Sequence, residues 1–168
     1  LEIEKIKVNS CILESIATGG YGFINTPKSA QKSVGLFSLT NSTLVNMGSD
    51  WFLQINAGWQ SIVIDKCTFY STGGGKGLFR FDANPEAVSI TNTIFAGANN
   101  GNEFNAGSKN YDILDFNSCY KTNDMKVSTK TPFLNIEEVP YSSEDFFVAP
   151  ADGDFHIKGG VSFGGLEK

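Results

Sequence analysis

The chain carries one arginine, Arg80, and one histidine, His156. A guanidinium presents parallel N–H donors that fork onto a carboxylate or onto paired hydroxyls, so Arg80 is the first residue to place. If Leu53, Ile55, Phe79 and Phe81 face a core, Gln54, Arg80 and Glu103 form a column on the opposite face, with Trp51 and Trp59 near one end. An arginine, a carboxylate and an amide suit hydroxyl or uronate groups, and an exposed indole offers an apolar plane to a sugar ring. These five residues are the candidate carbohydrate-binding site. The plainer alternative is an Arg80–Glu103 surface ion pair of little energetic weight, with the tryptophans packed under loops.

Catalytic sets are harder to assemble. Asp65 and Glu103 could both project outward, but nothing in the sequence pairs them as a glycoside hydrolase requires. A calcium-assisted lyase needs several converging carboxylates and a base, whereas the outward acids of the middle chain are only Asp65, Glu86, Glu103, Asp112 and Asp115. The acids near the end, Glu137-Glu138, Glu144-Asp145 and Asp152 to Asp154, read as solvated surface and turn devices. No catalytic residue, metal ligand or cofactor is assigned. His156 alternates with Phe155 and Ile157 and is expected to face solvent. The run Thr72-Gly73-Gly74-Gly75-Lys76-Gly77 lacks the spacing and the following helix of a phosphate loop, and reads as a turn.

The elements that would hold these residues come from a repeat. Val8-Asn9-Ser10-Cys11-Ile12-Leu13, Leu39-Thr40-Asn41-Ser42-Thr43-Leu44, Ile64-Asp65-Lys66-Cys67-Thr68-Phe69, Ile90-Thr91-Asn92-Thr93-Ile94-Phe95 and Phe116-Asn117-Ser118-Cys119-Tyr120-Lys121 superpose at steps of 31, 25, 26 and 26 residues. The first, fourth and sixth positions face one way, and the third breaks the alternation as a one-residue bend between two strands. A second column runs through Ile24-Asn25, Ile55-Asn56, Phe81-Asp82 and Phe104-Asn105, at steps of 31, 26 and 23. Its Asn25, Asn56, Asp82 and Asn105 are expected to stack as a ladder. Short strands returning about every 25 residues predict an all-β fold, a right-handed parallel β-helix of about five coils. Residues 1–132 form its coils and 133–168 a closing segment of the same domain. Pro27 to Lys32 is a loop pushed out of the first coil.

This arrangement places Cys11, Cys67 and Cys119 in one inward column, two coils apart. At roughly 4.8 Å per coil they are too far apart for a disulfide, so they read as small buried thiols. Composition agrees with a folded domain: 168 residues, 40% hydrophobic, 14 Phe and 18 Gly. A net charge of −5 argues against nucleic acid, and no run is long and apolar enough for a transmembrane helix. With no N-terminal cap visible before Ile6, upstream coils of a longer parent chain are an expected partner.

Ser143 to Lys158 contains Phe147-Val148-Ala149-Pro150-Ala151-Asp152-Gly153-Asp154-Phe155-His156-Ile157. It resembles the C-terminal closing segment of secreted bacterial β-helix proteins of the pectate-lyase-like superfamily, Phe-x-x-Pro-x-x-Gly-Asp-Phe/Tyr-x-Leu. The tail from Gly159 to Gly165 departs from the usual ending. The resemblance implies an extracellular or cell-surface protein of the glycan-degrading gut-bacterial type. The expected function is therefore a noncatalytic or catalytically incomplete module that binds polysaccharide or oligosaccharide, without membrane insertion. A lyase or hydrolase acting on uronate-containing glycans, or a structural stalk or adhesin, are the alternatives.

Overall fold

The computed structural model describes residues 3–15, 22–26, 34–47, 51–56, 59–72, 76–83, 85–97, 107–108, 114–130 and 133–163. The first coil contributes β1 (Ile3–Asn9), β2 (Ile12–Glu14) and β3 (Ile24–Asn25), and the second β4 (Val34–Thr40), β5 (Thr43–Val45) and β6 (Trp51–Ile55). The third contributes β7 (Trp59–Asp65), β8 (Thr68–Tyr70) and β9 (Gly77–Phe81), and the fourth β10 (Ala87–Thr91), β11 (Ile94–Ala96) and β12 (Gly107–Ser108). A fifth coil adds β13 (Phe116–Asn117) and β14 (Tyr120–Lys121). Corresponding strands pair in parallel into three sheets, β1-β4-β7-β10-β13, β2-β5-β8-β11-β14 and β3-β6-β9-β12. This is the expected parallel β-helix.

The register of the first two sheets follows the repeat residue by residue. Val8 pairs with Leu39, Leu39 with Ile64, Ile64 with Ile90 and Ile90 with Phe116. The expected bend is a left-handed residue: Ser10, Asn41, Lys66, Asn92 and Ser118 have φ between 48° and 55°. A second bend, which the sequence reading missed, follows the second sheet at Ser15, Asn46, Ser71 and Gly97, with φ of 53°, 51°, 48° and 88°. Small polar residues tolerate this conformation better than branched ones. At Gly97 a Cβ would lie 2.9 Å from Ser71 Oγ and 3.0 Å from the Tyr70 ring, so glycine also makes room there.

Inside, Phe69 and Phe95 at the sixth position sit in the middle of an aromatic stack. Phe52, Phe69, Phe95, Phe116 and Phe133 are joined by ring contacts of 5.0 to 5.7 Å. Phe52, Phe79 and Phe95 are fully buried. The fourth position lines the same interior: Ser42, Cys67, Thr93 and Cys119 are 0–3% exposed, and Cys11 is partly exposed. All three cysteines are free thiols.

Beneath this single repeat lies a two-coil alternation. Odd coils read Asn9-Ser10-Cys11, Asp65-Lys66-Cys67 and Asn117-Ser118-Cys119, and even coils read Thr40-Asn41-Ser42 and Thr91-Asn92-Thr93. Asn9 Oδ1 accepts from Thr40 Oγ1 at 2.8 Å and from Asn41 Nδ2 at 2.9 Å. Asp65 Oδ1 accepts from Thr91 Oγ1 at 2.6 Å and Asn92 Nδ2 at 2.8 Å in the same geometry. Inside, the even-coil hydroxyl accepts from the backbone of the preceding cysteine: Cys11 N–H to Ser42 Oγ, 3.2 Å, and Cys67 N–H to Thr93 Oγ1, 3.4 Å. The odd-coil thiols reach backwards, Cys67 to the Leu39 carbonyl at 3.5 Å and Cys119 to the Ile90 carbonyl at 3.4 Å. Odd and even coils are thus complementary, acceptor to donor.

The closing segment does two jobs. Phe133 enters the main core, and β15 (Glu137–Glu138) pairs with β14, extending the second sheet past the last coil. The chain then turns through α1 (Ser143–Phe146), capped by Ser142 accepting from the Asp145 N–H at 3.1 Å. The antiparallel pair β16 (Phe147–Ala149) and β17 (Asp154–Ile157) follows. Phe146, Phe147, Phe155 and Phe163 form a second apolar cluster on the outer face of the second sheet, against Tyr70, Ile94, Ala96 and Tyr120. The segment therefore covers a flank of the solenoid as well as its end.

Candidate functional site

The third sheet carries the expected column. Leu53, Ile55, Phe79 and Phe81 are buried, 0–1% exposed, so Gln54 and Arg80 project from the opposite face, paired in register on β6 and β9. Arg80 is 29% exposed at its side chain and is gripped by Asp82, Nη2 to Oδ2 at 3.1 Å and Nε to Oδ1 at 3.4 Å. Gln54 Nε2 donates to Asn56 Oδ1 at 3.3 Å, and Asn56 Nδ2 donates to Asn25 Oδ1 at 3.0 Å and to the Thr26 carbonyl at 2.5 Å. The Asn56 N–H is taken by Thr26 Oγ1 at 2.8 Å. These amide bonds tie the first and second coils together along one outer edge, and the Arg80–Asp82 pair stands beside them on the third. The result is a run of alternating amide, guanidinium and carboxylate groups on a rigid parallel sheet.

Several expectations need correction. The neighbour of Arg80 on the fourth coil is Ser108, not Glu103, because Gly107-Ser108 pairs with Phe79-Arg80. The step there is 28 residues, since the connection between the fourth coil's second and third sheets is longer than the column assumed. Glu103 and Asn105 lie outside the described residues. At the other end Asn25 is in register with Gln54, two residues before Asn56, so the Asn25–Asn56 bond runs diagonally between coils. Trp51 is not an exposed plane: it is 7% exposed, and its buried Nε1 has no hydrogen-bond partner among the described residues. Trp59 opens β7, and its side chain lies outside the described residues. Gly73 to Gly75 and the Pro27 to Lys32 loop are likewise outside them.

A concavity of about 410 Å³ lies where the β16–β17 pair meets the outer face of the first two coils. Ile12, Thr43, Asp152, Asp154, Phe155 and His156 line it. His156 faces solvent, as expected, with its Nδ1 2.6 Å from Asp154 Oδ1. The His156 backbone N–H, and then its ring, hold the Asp154 carboxyl below the usual aspartate value. Among the described residues the ring bonds only Asp154, so the pair lacks the hydroxyl or thiol that a histidine base would activate. The two buried thiols are poor nucleophiles, because burial pushes Cys67 and Cys119 up to about 11. Among the described residues no three His, Cys, Asp or Glu side chains converge as metal ligands. No helix among them is long and apolar enough to cross a membrane.

Residues 62–164 match the model of a family described as a domain of unknown function, DUF5123. No curated protein and no solved structure matches the chain. The match runs from the third coil through the closing pair β16–β17, taking in Arg80 and Asp82. A parallel β-helix whose greater part is spanned by that model belongs to the DUF5123 family.

Proposed function

We propose that the protein is a noncatalytic carbohydrate-binding β-helix acting outside the cell or at its surface, and that its ligand is a neutral polysaccharide or oligosaccharide. The observation that carries this reading is the Arg80–Asp82 fork beside the Gln54–Asn56 amides on the outer face of the third sheet. A sugar hydroxyl both donates and accepts, so it is best met by donors and acceptors set side by side. The fork supplies both, and strands about 4.8 Å apart repeat them along the solenoid axis. Asp82 also decides between ligand classes. A carboxylate already bound to the chain's one guanidinium competes with any uronate, and a net charge of −5 opposes a polyanion further.

The likeness of Phe147 to Ile157 to the closing segments of pectate-lyase-like β-helix proteins supports the glycan association and the extracellular setting. Against a catalytic role stand the His156 ring, which among the described residues bonds only Asp154, and the buried thiols of Cys67 and Cys119, which are held protonated. A glycan array containing neutral and uronic-acid polymers tests it directly. Retention on neutral glycans that weakens with Arg80→Ala is the expected result. Exclusive retention on uronic-acid polymers would overturn the ligand class, and an empty array would overturn the function.

A further inference from the structure

Among the described residues, nothing covers the end of the solenoid that begins with β1. Ile6, Val8 and Leu13 are only partly buried, although their register partners one coil on, Phe37, Leu39 and Leu44, are fully buried. β1, β2 and β3 are each the edge strand of their sheet. An edge of this kind pairs readily with another strand unless inward charges, prolines or a covering element protect it. Lys5 and Lys7 alternate with the inward Ile6 and Val8, so they leave the apolar column open.

The two-coil alternation says what fits there. The first coil is of the cysteine type, and each later cysteine thiol reaches, besides the carbonyl two residues before it in its own coil, a carbonyl of the coil before it, Cys67 to Leu39 and Cys119 to Ile90. Among the described residues Cys11 Sγ has only the carbonyl of Asn9, in its own coil, at 3.3 Å. We infer that this end receives a further parallel coil of the hydroxyl type, with an apolar-Thr-Asn-Ser/Thr segment in register with Val8-Asn9-Ser10-Cys11. Its apolar residue would cover Val8, and that residue's carbonyl would accept the Cys11 thiol.

The occupant is a preceding coil of the same polypeptide. The solenoid already runs on in unbroken register for two coils before the family match, which begins at Ile62. A second copy fits poorly. Its corresponding end is also of the cysteine type, and its opposite end is covered by Phe133 and β15.

The test uses grafts. A copy of residues 34–58 joined to Ile3 adds a hydroxyl-type coil at the 25-residue step that the chain itself uses between Val34 and Trp59. A copy of residues 59–84 joined to Ile3 adds a cysteine-type coil at the 26-residue step seen between Ser61 and Ala87. The first graft in its Leu39→Asp, Leu44→Asp form supplies the length without the apolar column. Labelling of Cys11 by a thiol reagent, followed by peptide mapping, is the readout, with the melting midpoint alongside. The hydroxyl-type graft is expected to slow Cys11 labelling at least about tenfold and to raise the midpoint, because a covered coil opens less often than an edge coil. The cysteine-type graft should protect less, and the Asp-bearing graft not at all. Unchanged labelling with the hydroxyl-type graft, including a graft that stays unfolded, would overturn the proposal. So would equal protection by both grafts, or a concentration-dependent dimer of the original chain in which Cys11 is already protected.

Discussion

Thr91 donates its hydroxyl to the Asp65 carboxylate across the gap between the fourth and third coils, Oγ1 to Oδ1 at 2.6 Å. Asn92 Nδ2 shares the same oxygen at 2.8 Å, so one outward acid holds two donors of the next coil. Asn9 does the same for Thr40 and Asn41, which makes the contact a property of the repeat.

A pH dependence follows from Asp65. Burial works to raise its pKa, but the hydrogen bonds from Thr91 and Asn92, with Lys66 beside it, outweigh burial and hold the carboxyl below the usual aspartate value. A depressed carboxyl contributes stability that is present above its unfolded pKa, about 3.9, and is lost as pH falls through the folded value. Urea midpoints should therefore fall below about pH 4. Asp65→Asn, which restores the oxygen found at Asn9, should remove this residue's share of the acid dependence. Asp65→Ala should cost roughly 1–2 kcal/mol at neutral pH. An Asp65→Asn variant with an unaltered acid profile would show that the contact does not couple to folding.

The thiols should divide by coil. Cys67 and Cys119 are buried and pushed up to about 11, whereas Cys11 is partly exposed on the uncovered end. A thiol reagent at pH 8 should label Cys11 first in the native protein and all three only after denaturation. Fast labelling of Cys119 in folded protein would contradict the burial of the fourth position.

The aromatic stack should be the most sensitive part of the core. Phe95 touches Phe69, Phe116 and Phe133 and is fully buried. Phe95→Ala should cost about 3–5 kcal/mol in denaturant titrations, with the cavity shared between the last coils and the closing segment. A loss below about 1 kcal/mol would mean that the stack relaxes around the gap.

How much of this was legible depended on where the chain length between strands stays constant. The first two sheets keep an invariant register because a single left-handed residue joins them, and the sequence shows that residue as Ser, Asn or Lys in a fixed slot. The second bend was equally visible as Ser15, Asn46, Ser71 and Gly97, all at the steps of the repeat, but no apolar signature draws attention to it. The third sheet was misaligned at both ends because loops of differing length precede it, and the alternation of Ile and Phe fits more than one register. That error paired Arg80 with Glu103 rather than with Asp82 on its own strand exit, a two-residue spacing that the sequence shows plainly. Trp51 was misplaced for a different reason: it stands two and four residues before the buried Leu53 and Ile55, so the same alternation that turns Gln54 outward puts Trp51 on the buried side.

The groove of His156 offers an internal control for the binding claim. His156 is exposed and Asp154 half-buried, and they belong to the closing pair rather than to the third sheet. Asp154→Asn and His156→Ala should leave both folding and glycan binding within error of the original chain. Loss of binding in either would move the site to the groove that Ile12 and Phe155 line.

The central claim is that the Arg80–Asp82 fork on the third sheet holds a neutral glycan. Calorimetric titration with the neutral oligosaccharide best retained on the array measures it most directly, across the original chain, Arg80→Ala, Asp82→Asn and His156→Ala. The account predicts at least about a tenfold loss of affinity for Arg80→Ala, in keeping with a charge-assisted hydrogen bond worth about 1.5–3 kcal/mol, and a weaker loss for Asp82→Asn. His156→Ala should bind as the original does. Unchanged affinity in Arg80→Ala, with the variant folded and the original binding, would contradict it.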